Sequence, residues 1–357
     1  VEQISVDAGP GGNQVAYLFD GAGGDTFTGG KGSSSLRYAT GGTVSATGFA
    51  NVYAYALSTP SDTGDTADLW DSTDTDQYVA TPDLAYMNYN GGAAGQVFTT
   101  GFNRVLGHST SGGADWAVYF DSAGNDRYAA NAQTLASSMT DGASYENSGE
   151  GFGLTFGYST GGVDEADFVG TGGSDTLVAG LRPGSGAGKN FAYLLGPGGQ
   201  FFAYDFAHLK AEGGSGGADV AQILDSSGDD TLEVGPASVR LSANATGRWI
   251  EANQFAFAYV TADQGGNDVA TVADSSASDL FYAEPKWGYM AYGTGQFVLL
   301  SPSADGSGGF ARIDATAAAG GEDVAYLLDS AISGARDNLL VGKTLVPTGG
   351  SLGLDSS

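Results

Sequence analysis

Asp225-Ser-Ser-Gly-Asp-Asp-Thr-Leu-Glu-Val-Gly-Pro236 sets the frame of this chain. An Asp opens a short Gly/Ser/Asp turn. A second Asp closes it five residues later, and an alternating run then leads to a Pro. The same frame stands at Asp20 to Asp25, Asp71 to Asp76, Asp121 to Asp126 and Asp274 to Asp279. A fourth copy has Gly170 in the first place and keeps Asp175, and the last is stretched from Asp329 to Asp337. The first positions fall at 20, 71, 121, 170, 225, 274 and 329, a period close to 50 residues. A period of that size marks a repeat architecture, in which stacked units share one continuous core.

Strands flank the turn. Residues two apart share a face of a strand, and before the first Asp one face repeats a small residue and then a larger one. The pairs are Ala67 and Leu69, Ala117 and Tyr119, Ala221 and Ile223, Ala270 and Val272, and Ala325 and Leu327. After the second Asp the inward positions hold Phe27, Tyr78, Tyr128, Leu177, Leu232, Phe281 and Leu339. The next are Ala80, Ala130, Ala179, Val234, Ala283 and Val341. Pro82, Pro236 and Pro285 end three of these strands, where a missing N–H is tolerated. The second half of the repeat carries Phe-x-x-aliphatic pairs at Phe49 and Val52, Phe102 and Val105, Phe206 and Leu209, Phe257 and Val260, and Phe310 and Ile313. Gly-Gly turns follow, as at Gly112-Gly113 and Gly265-Gly266, where Gly takes positive φ without steric cost.

No long stretch has capped helical periodicity. The sequence therefore predicts an all-β, right-handed parallel β-helix (a β-solenoid) of about seven 50-residue repeats, forming one domain over 1–357 with partial repeats at both ends. Each repeat is expected to divide into two coils of about 25 residues with three short strands per coil.

Composition narrows the partners. The chain has 357 residues, 60 of them Gly, with no Cys and a net charge of −28. Phosphate binding rests on Lys and Arg, so 13 basic against 41 acidic residues excludes nucleic acid. No apolar run is long enough for a membrane-spanning helix. Without Cys there are no disulfides, thiolate metal sites or Cys nucleophiles. No signal-peptide pattern stands at Val1, which fits a processed chain or a segment of a longer one.

The turn Asp121-Ser-Ala-Gly-Asn-Asp-Arg-Tyr128 and the stretch Gly217-Ala-Asp-Val-Ala-Gln-Ile-Leu-Asp-Ser226 resemble the tandem 50-residue repeats of very large bacterial secreted proteins. The resemblance covers nearly the whole chain. It implies an extracellular or cell-surface location and no known activity. Gly24-Asp-Thr-Phe27 and Gly173-Ser-Asp-Thr-Leu177 also resemble single turns of the calcium β-roll nonapeptide, which recurs every nine residues there and only once per repeat here.

The carboxylates are the candidate chemistry. Asp68, Asp71, Asp74 and Asp76 crowd one turn, Asp121 and Asp126 another, and Asp225, Asp229 and Asp230 a third. Calcium takes six to eight oxygens, so these residues are candidate calcium ligands. The same residues also suit turn capping, in which Asp accepts nearby backbone N–H groups. His108 and His208 lie two periods apart but in different columns, which argues against a shared site.

Inverting hydrolases need two spaced carboxylates, yet most carboxylates here recur from copy to copy, whereas a catalytic set breaks the repeat. The irregular places are Arg182 to Tyr193, Lys210-Ala-Glu212, Arg248-Trp249 to Glu251 and Glu284-Pro-Lys286-Trp287. Trp70, Trp116, Trp249 and Trp287 offer rings for glycan stacking. The expectation is a non-enzymatic structural protein, a fibre, surface-layer or adhesin-stalk subunit. A carbohydrate-active enzyme or glycan-binding protein is the alternative. Partial repeats at the two ends point to head-to-tail self-association into filaments.

Overall fold

A computed structural model describes residues 2–9, 13–57, 64–181, 190–302, 306–328 and 350–352. The fold is an all-β solenoid, and among the described residues the one helical element is the 3-10 turn Tyr89–Gly92. The chain divides into two compact units, Val1–Asp167 with Gly198–Phe206, and Phe168–Pro197 with Ala207–Ser357. The seventh copy, Asp329 to Asp337 with Leu339 and Val341, lies outside the described residues.

In the first unit the repeat that opens at Asp20 makes five strands. Thr26–Gly30, Ser33–Tyr38 and Gly42–Thr47 form an antiparallel meander in one sheet. Asn51–Tyr55 crosses to the other sheet, and Thr66–Trp70 returns. The flanks of the meander join parallel neighbours, Gly42–Thr47 on Glu2–Asp7 and Thr26–Gly30 on Thr66–Trp70. The repeat from Asp71 does the same with the sheets exchanged. Its meander, Gln77–Ala80, Leu84–Asn88 and Gln96–Thr100, lies in the second sheet. Arg104–His108 then runs in the first and Trp116–Phe120 in the second. In the second unit the repeats from Asp225 and Asp274 alternate likewise, with meanders Asp230–Val234 to Arg248–Asn253 and Leu280–Glu284 to Phe297–Ser301.

This arrangement changes the expected coil. Phe27 pairs with Ala67 and Ala67 with Val105, so one turn takes about 40 residues rather than 25, with strands in two sheets rather than three per coil. A run of five alternating residues reads the same whether its neighbour is parallel or antiparallel, so the meander left no trace in the periodicity.

The inner columns are as expected. Ala67, Leu69, Ala117, Tyr119, Tyr128, Ala130, Ala221, Ile223, Ala270 and Val272 are all buried. Ala325 differs: it is exposed and Leu327 is half-buried, on Val324–Leu327, which follows the last described meander. Large rings fit between the sheets because glycine faces them. A Cβ on Gly157 would lie 2.5 Å from the Tyr128 ring, and one on Gly107 2.8 Å from the Tyr78 ring. The hydroxyls of the buried core tyrosines find partners, as most buried polar groups do. The Tyr119 hydroxyl lies 2.8 Å from Ser137 Oγ, that of Tyr128 lies 2.5 Å from Thr155 Oγ1, and Tyr78 donates to the Val105 carbonyl at 3.3 Å.

One register is corrected. In the fifth repeat the buried Phe-x-x pair is Phe255 and Ala258; of the expected pair, Val260 is buried as expected and Phe257 is not. Phe255 is 2% exposed and Phe257 is 37% exposed. The two choices differ by one strand period, so parity alone does not separate them. The loosely matching copy at Phe152 belongs to the same column, with Phe152 and Thr155 fully buried.

Truncating a buried Phe costs about 3–5 kcal/mol. Phe255→Ala is therefore expected to lower the unfolding free energy by about that amount, and Phe257→Ala by less than about 1 kcal/mol. Denaturant titration of the two variants checks the assignment, and equal losses would contradict it.

Candidate functional site: the aspartate-lined turns

The six described repeats build the same constellation, from three Asp residues in five of them and from two in the fourth, where Gly170 takes the first place. The N–H after the first Asp donates to Oδ2 of the second. The distances are 2.6 Å from Gly21 to Asp25, 2.5 Å from Ser72 to Asp76 and 3.1 Å from Ser122 to Asp126. They are 2.7 Å from Thr171 to Asp175, 2.9 Å from Ser226 to Asp230 and 2.5 Å from Ser275 to Asp279. This closes the turn. The second Asp then donates its own N–H to a third Asp about 40 residues on, in the Gly-Gly turn of the next coil. The acceptors are Asp65, Asp115, Asp164, Asp219, Asp268 and Asp323, at 2.6–2.9 Å.

The first Asp reaches the same way. Asp71 Oδ2 accepts from the N–H groups of Thr110 and Ser111, at 2.8 and 2.7 Å, and Asp121 Oδ2 accepts from Thr160 at 2.8 Å. Glycine is required where the turns stack. A Cβ on Gly162, which has φ +92°, would lie 1.7 Å from the Gly124 carbonyl oxygen. At Gly170, which replaces a first Asp, an added Cβ would lie 2.6 Å from the Gly213 oxygen and 2.8 Å from Asp175 Oδ2.

The other oxygen of the second Asp holds the meander. Asp25, Asp76 and Asp279 Oδ1 accept the N–H of Ala39, Asn90 and Gly293, and Asp126 Oδ1 accepts the Tyr145 hydroxyl. In the fourth repeat Pro197 stands in the place of Ala39, Asn90 and Gly293. Proline has no N–H, and Asp175 Oδ1 is buried without a hydrogen-bond partner.

Two triads bring carboxylate oxygens within 4.8 Å of one another, Asp20 with Asp25 and Asp65, and Asp121 with Asp126 and Asp164. In the second triad every oxygen already accepts a hydrogen bond, from Ser122, Asp126, Tyr145, Ser159, Thr160 and Gly161. The electrostatic cost is visible in the third Asp. Burial pushes the Asp164 and Asp115 carboxyls up, against the lowering effect of their hydrogen bonds, and neighbouring carboxylates add to the rise. Asp268 is pushed up to about 6, chiefly by burial. The Asp230 N–H opposes this, and the charges of Asp230 and Asp229 reinforce it.

Of the nine sequence-derived candidate ligands, Asp71, Asp76, Asp121, Asp126, Asp225 and Asp230 are buried in these constellations. Asp68, Asp74 and Asp229 are directed elsewhere. Asp68 Oδ1 lies 3.4 Å from His108 Nε2, Asp74 pairs with Lys31 at 2.6 Å, and Asp229 accepts the Asn267 N–H at 2.8 Å. The third Asp of each set was absent from that selection. Its signal, Asp two residues after the Gly-Gly pair in most copies, stood in the sequence.

The outer face of the first sheet carries the remaining polar chemistry. In the first unit the His108 ring stacks on Trp70 at 3.8 Å, with its Nδ1 2.6 Å from Glu150 Oε1. In the second unit two irregular places come together on paired strands. Lys210 meets Glu212 at 3.0 Å and Arg240 meets Glu251 at 3.1 Å. Asn253 donates to both glutamates, and Trp249 lies between Arg240 and His208. His108 and His208 sit in separate clusters, as expected. Most of Arg182 to Tyr193 lies outside the described residues. No family model, curated protein or solved structure matches this chain.

Asp164→Ala would leave the buried Asp126 N–H without an acceptor, at a cost of about 1–3 kcal/mol. Asp164→Asn keeps the acceptor, and is expected to retain most of that stability in thermal melts.

Asp268 gives a pH signature. Its folded pKa lies above its unfolded one, so the folded state binds the proton more tightly. Its contribution is therefore favourable below about pH 4 and is lost as pH rises through about 6. Asp268→Asn is expected to flatten the fall in Tm across that window. An unchanged slope would refute the assignment.

Proposed function

We propose that this chain is a non-enzymatic structural repeat protein of the cell exterior, a fibre, surface-layer or stalk subunit. The observation that carries this reading is the recurrence of the second-Asp to third-Asp hydrogen bond in all six described repeats. A catalytic group is a single departure from a scaffold, whereas these carboxylates are spent on the same backbone N–H in every copy. The resemblance to secreted tandem repeats supports the location.

End-to-end assembly is a further part of the proposal, since the edge strand of a coil can pair with a strand of another copy, as Glu2–Asp7 pairs in parallel with Gly42–Thr47 within this chain.

A second reading, action on extracellular polysaccharide, is favoured by the grouping of Glu212, Glu251, Lys210 and Arg240 on one sheet face. A panel of acidic and neutral polysaccharides decides between them. The structural reading expects no turnover, and turnover lost in Glu251→Gln or Lys286→Ala would overturn it.

Calcium at the aspartate turns is a further part of the proposal, supported by the two carboxylate triads and the net charge of −28. A bound ion would displace donors already in place, so the expected effect is small. Millimolar calcium is predicted to raise Tm by a few degrees over chelator (about 1 kcal/mol). An unchanged Tm leaves the aspartates as turn caps alone.

A further inference from the structure

The charge of this protein is unevenly placed. In the first unit the second sheet is made of Val15–Phe19, Asn51–Tyr55, Gln77–Ala80, Leu84–Asn88, Gln96–Thr100, Trp116–Phe120, Leu154–Tyr158 and Gln200–Tyr204. Not one residue of these strands is Asp, Glu, Lys, Arg or His. The first sheet of the same unit carries Asp68, Arg104, Arg127, Glu146 and Glu150 on its strands.

What the second sheet displays outward is aromatic. Tyr17, Tyr53 and Phe98 follow one another on adjacent strands, with ring centroids 5.4 and 5.6 Å apart. Farther along, Phe156 and Phe202 stack at 5.0 Å, and Tyr158 and Tyr204 at 5.1 Å. These last two pairs lie 18° and 16° from parallel, so the rings face each other and present their edges outward. A sugar ring needs an open aromatic face, and here those faces are taken. The flanking column is amide-rich, and Gln96 Nε2 donates to the Tyr53 hydroxyl at 2.8 Å.

We infer that this face is a docking surface for a second copy of the chain, laid face to face. Three observations select that occupant. With a net charge of −28, two copies repel wherever charged surfaces meet. The uncharged sheet lets them approach without desolvating or opposing charges. Its size also fits. Eight strands at ~4.8 Å and five residues at ~3.3 Å give on the order of 600 Å² of projected face per copy, near the ~800 Å² that each partner of a standard complex buries. Finally, an apolar face with polar tyrosine hydroxyls and amides is self-complementary, as a two-fold contact requires. Contiguous apolar patches of this extent mark interaction sites. The second unit independently repeats the pattern: its second-sheet strands carry a single charged residue, Glu284. This contact is lateral and distinct from the end-to-end one.

Sedimentation equilibrium of the whole chain tests it. The wild type is expected to dimerise, and more tightly at high salt, where repulsion between the copies is screened. Tyr53→Glu with Phe156→Glu is expected to raise the dimer Kd at least tenfold with the β-type circular dichroism intact. Ser138→Glu and Thr28→Glu, on the other sheet, should leave it unchanged. If the double variant does not fold, the gentler Phe98→Gln serves, with hydrogen exchange of Asn51–Tyr55 compared between dilute and concentrated protein.

Three results would overturn the inference. One is a wild type that stays monomeric at its solubility limit in high salt. Another is association that survives the face charges but is lost in Ile4→Glu, which assigns it to the chain end. The third is a monomer that instead co-sediments with zwitterionic vesicles or insoluble cellulose through Tyr53 and Phe156.

Discussion

The hydrogen bond from the second Asp N–H to the third Asp carboxylate is the interaction on which the rest of the solenoid depends. It is buried in most copies, it joins residues about 40 apart, and it recurs in every described repeat. A sharp turn exposes backbone donors that neither sheet can satisfy, and a buried donor without an acceptor costs as much as a lost hydrogen bond. A short acidic side chain answers that need twice, first within its own turn and then across to the next coil. The acidic balance of the chain is in large part the sum of these caps. The cost appears in the third Asp, whose carboxyl is raised by burial and by its neighbours.

Around that bond the repeat solves a second problem, how to place five strands of about five residues in two sheets. Three stay together as a meander and two cross. An odd number of crossings hands the next repeat to the opposite sheet, so the true structural period is two repeats. Neighbouring copies with nearly the same turn therefore face different surroundings. Leu84–Asn88 and Gln96–Thr100, in a second-sheet meander, are free of charge, whereas Glu146–Glu150 in a first-sheet meander carries two glutamates. Similar turns thus build a molecule with one aromatic sheet face and one charged one in each unit.

The functional reading rests on this division of labour. The carboxylates of Asp121, Asp126 and Asp164 all accept capping hydrogen bonds, and Trp70 and Trp249 stack on His108 and His208. The proposed assembly draws on the sheet surface that these turns leave without charge.

The sequence by itself determined the repeat, the strand parity and the turn. The alternation of Ala117 with Tyr119 and of Tyr128 with Ala130 is a local property of a strand with one buried face, and it placed these residues in the core correctly. Parity has limits that tertiary structure had to resolve. A shift of two residues preserves it, so Phe255 and Phe257 were indistinguishable until their strand was seen against its neighbours. Parallel and antiparallel partners also leave the same alternation, so the meander and the 40-residue turn were invisible. The aspartate triads were half legible: Asp121 and Asp126 share one turn, whereas Asp164 reaches them only because the coil returns there. The uncharged aromatic face was present as strings of residues such as Gln96–Thr100 and Trp116–Phe120. Only the alternation of sheets from repeat to repeat gathered them onto one side, because which sheet a strand joins is decided by the path of the whole chain and not by the strand itself.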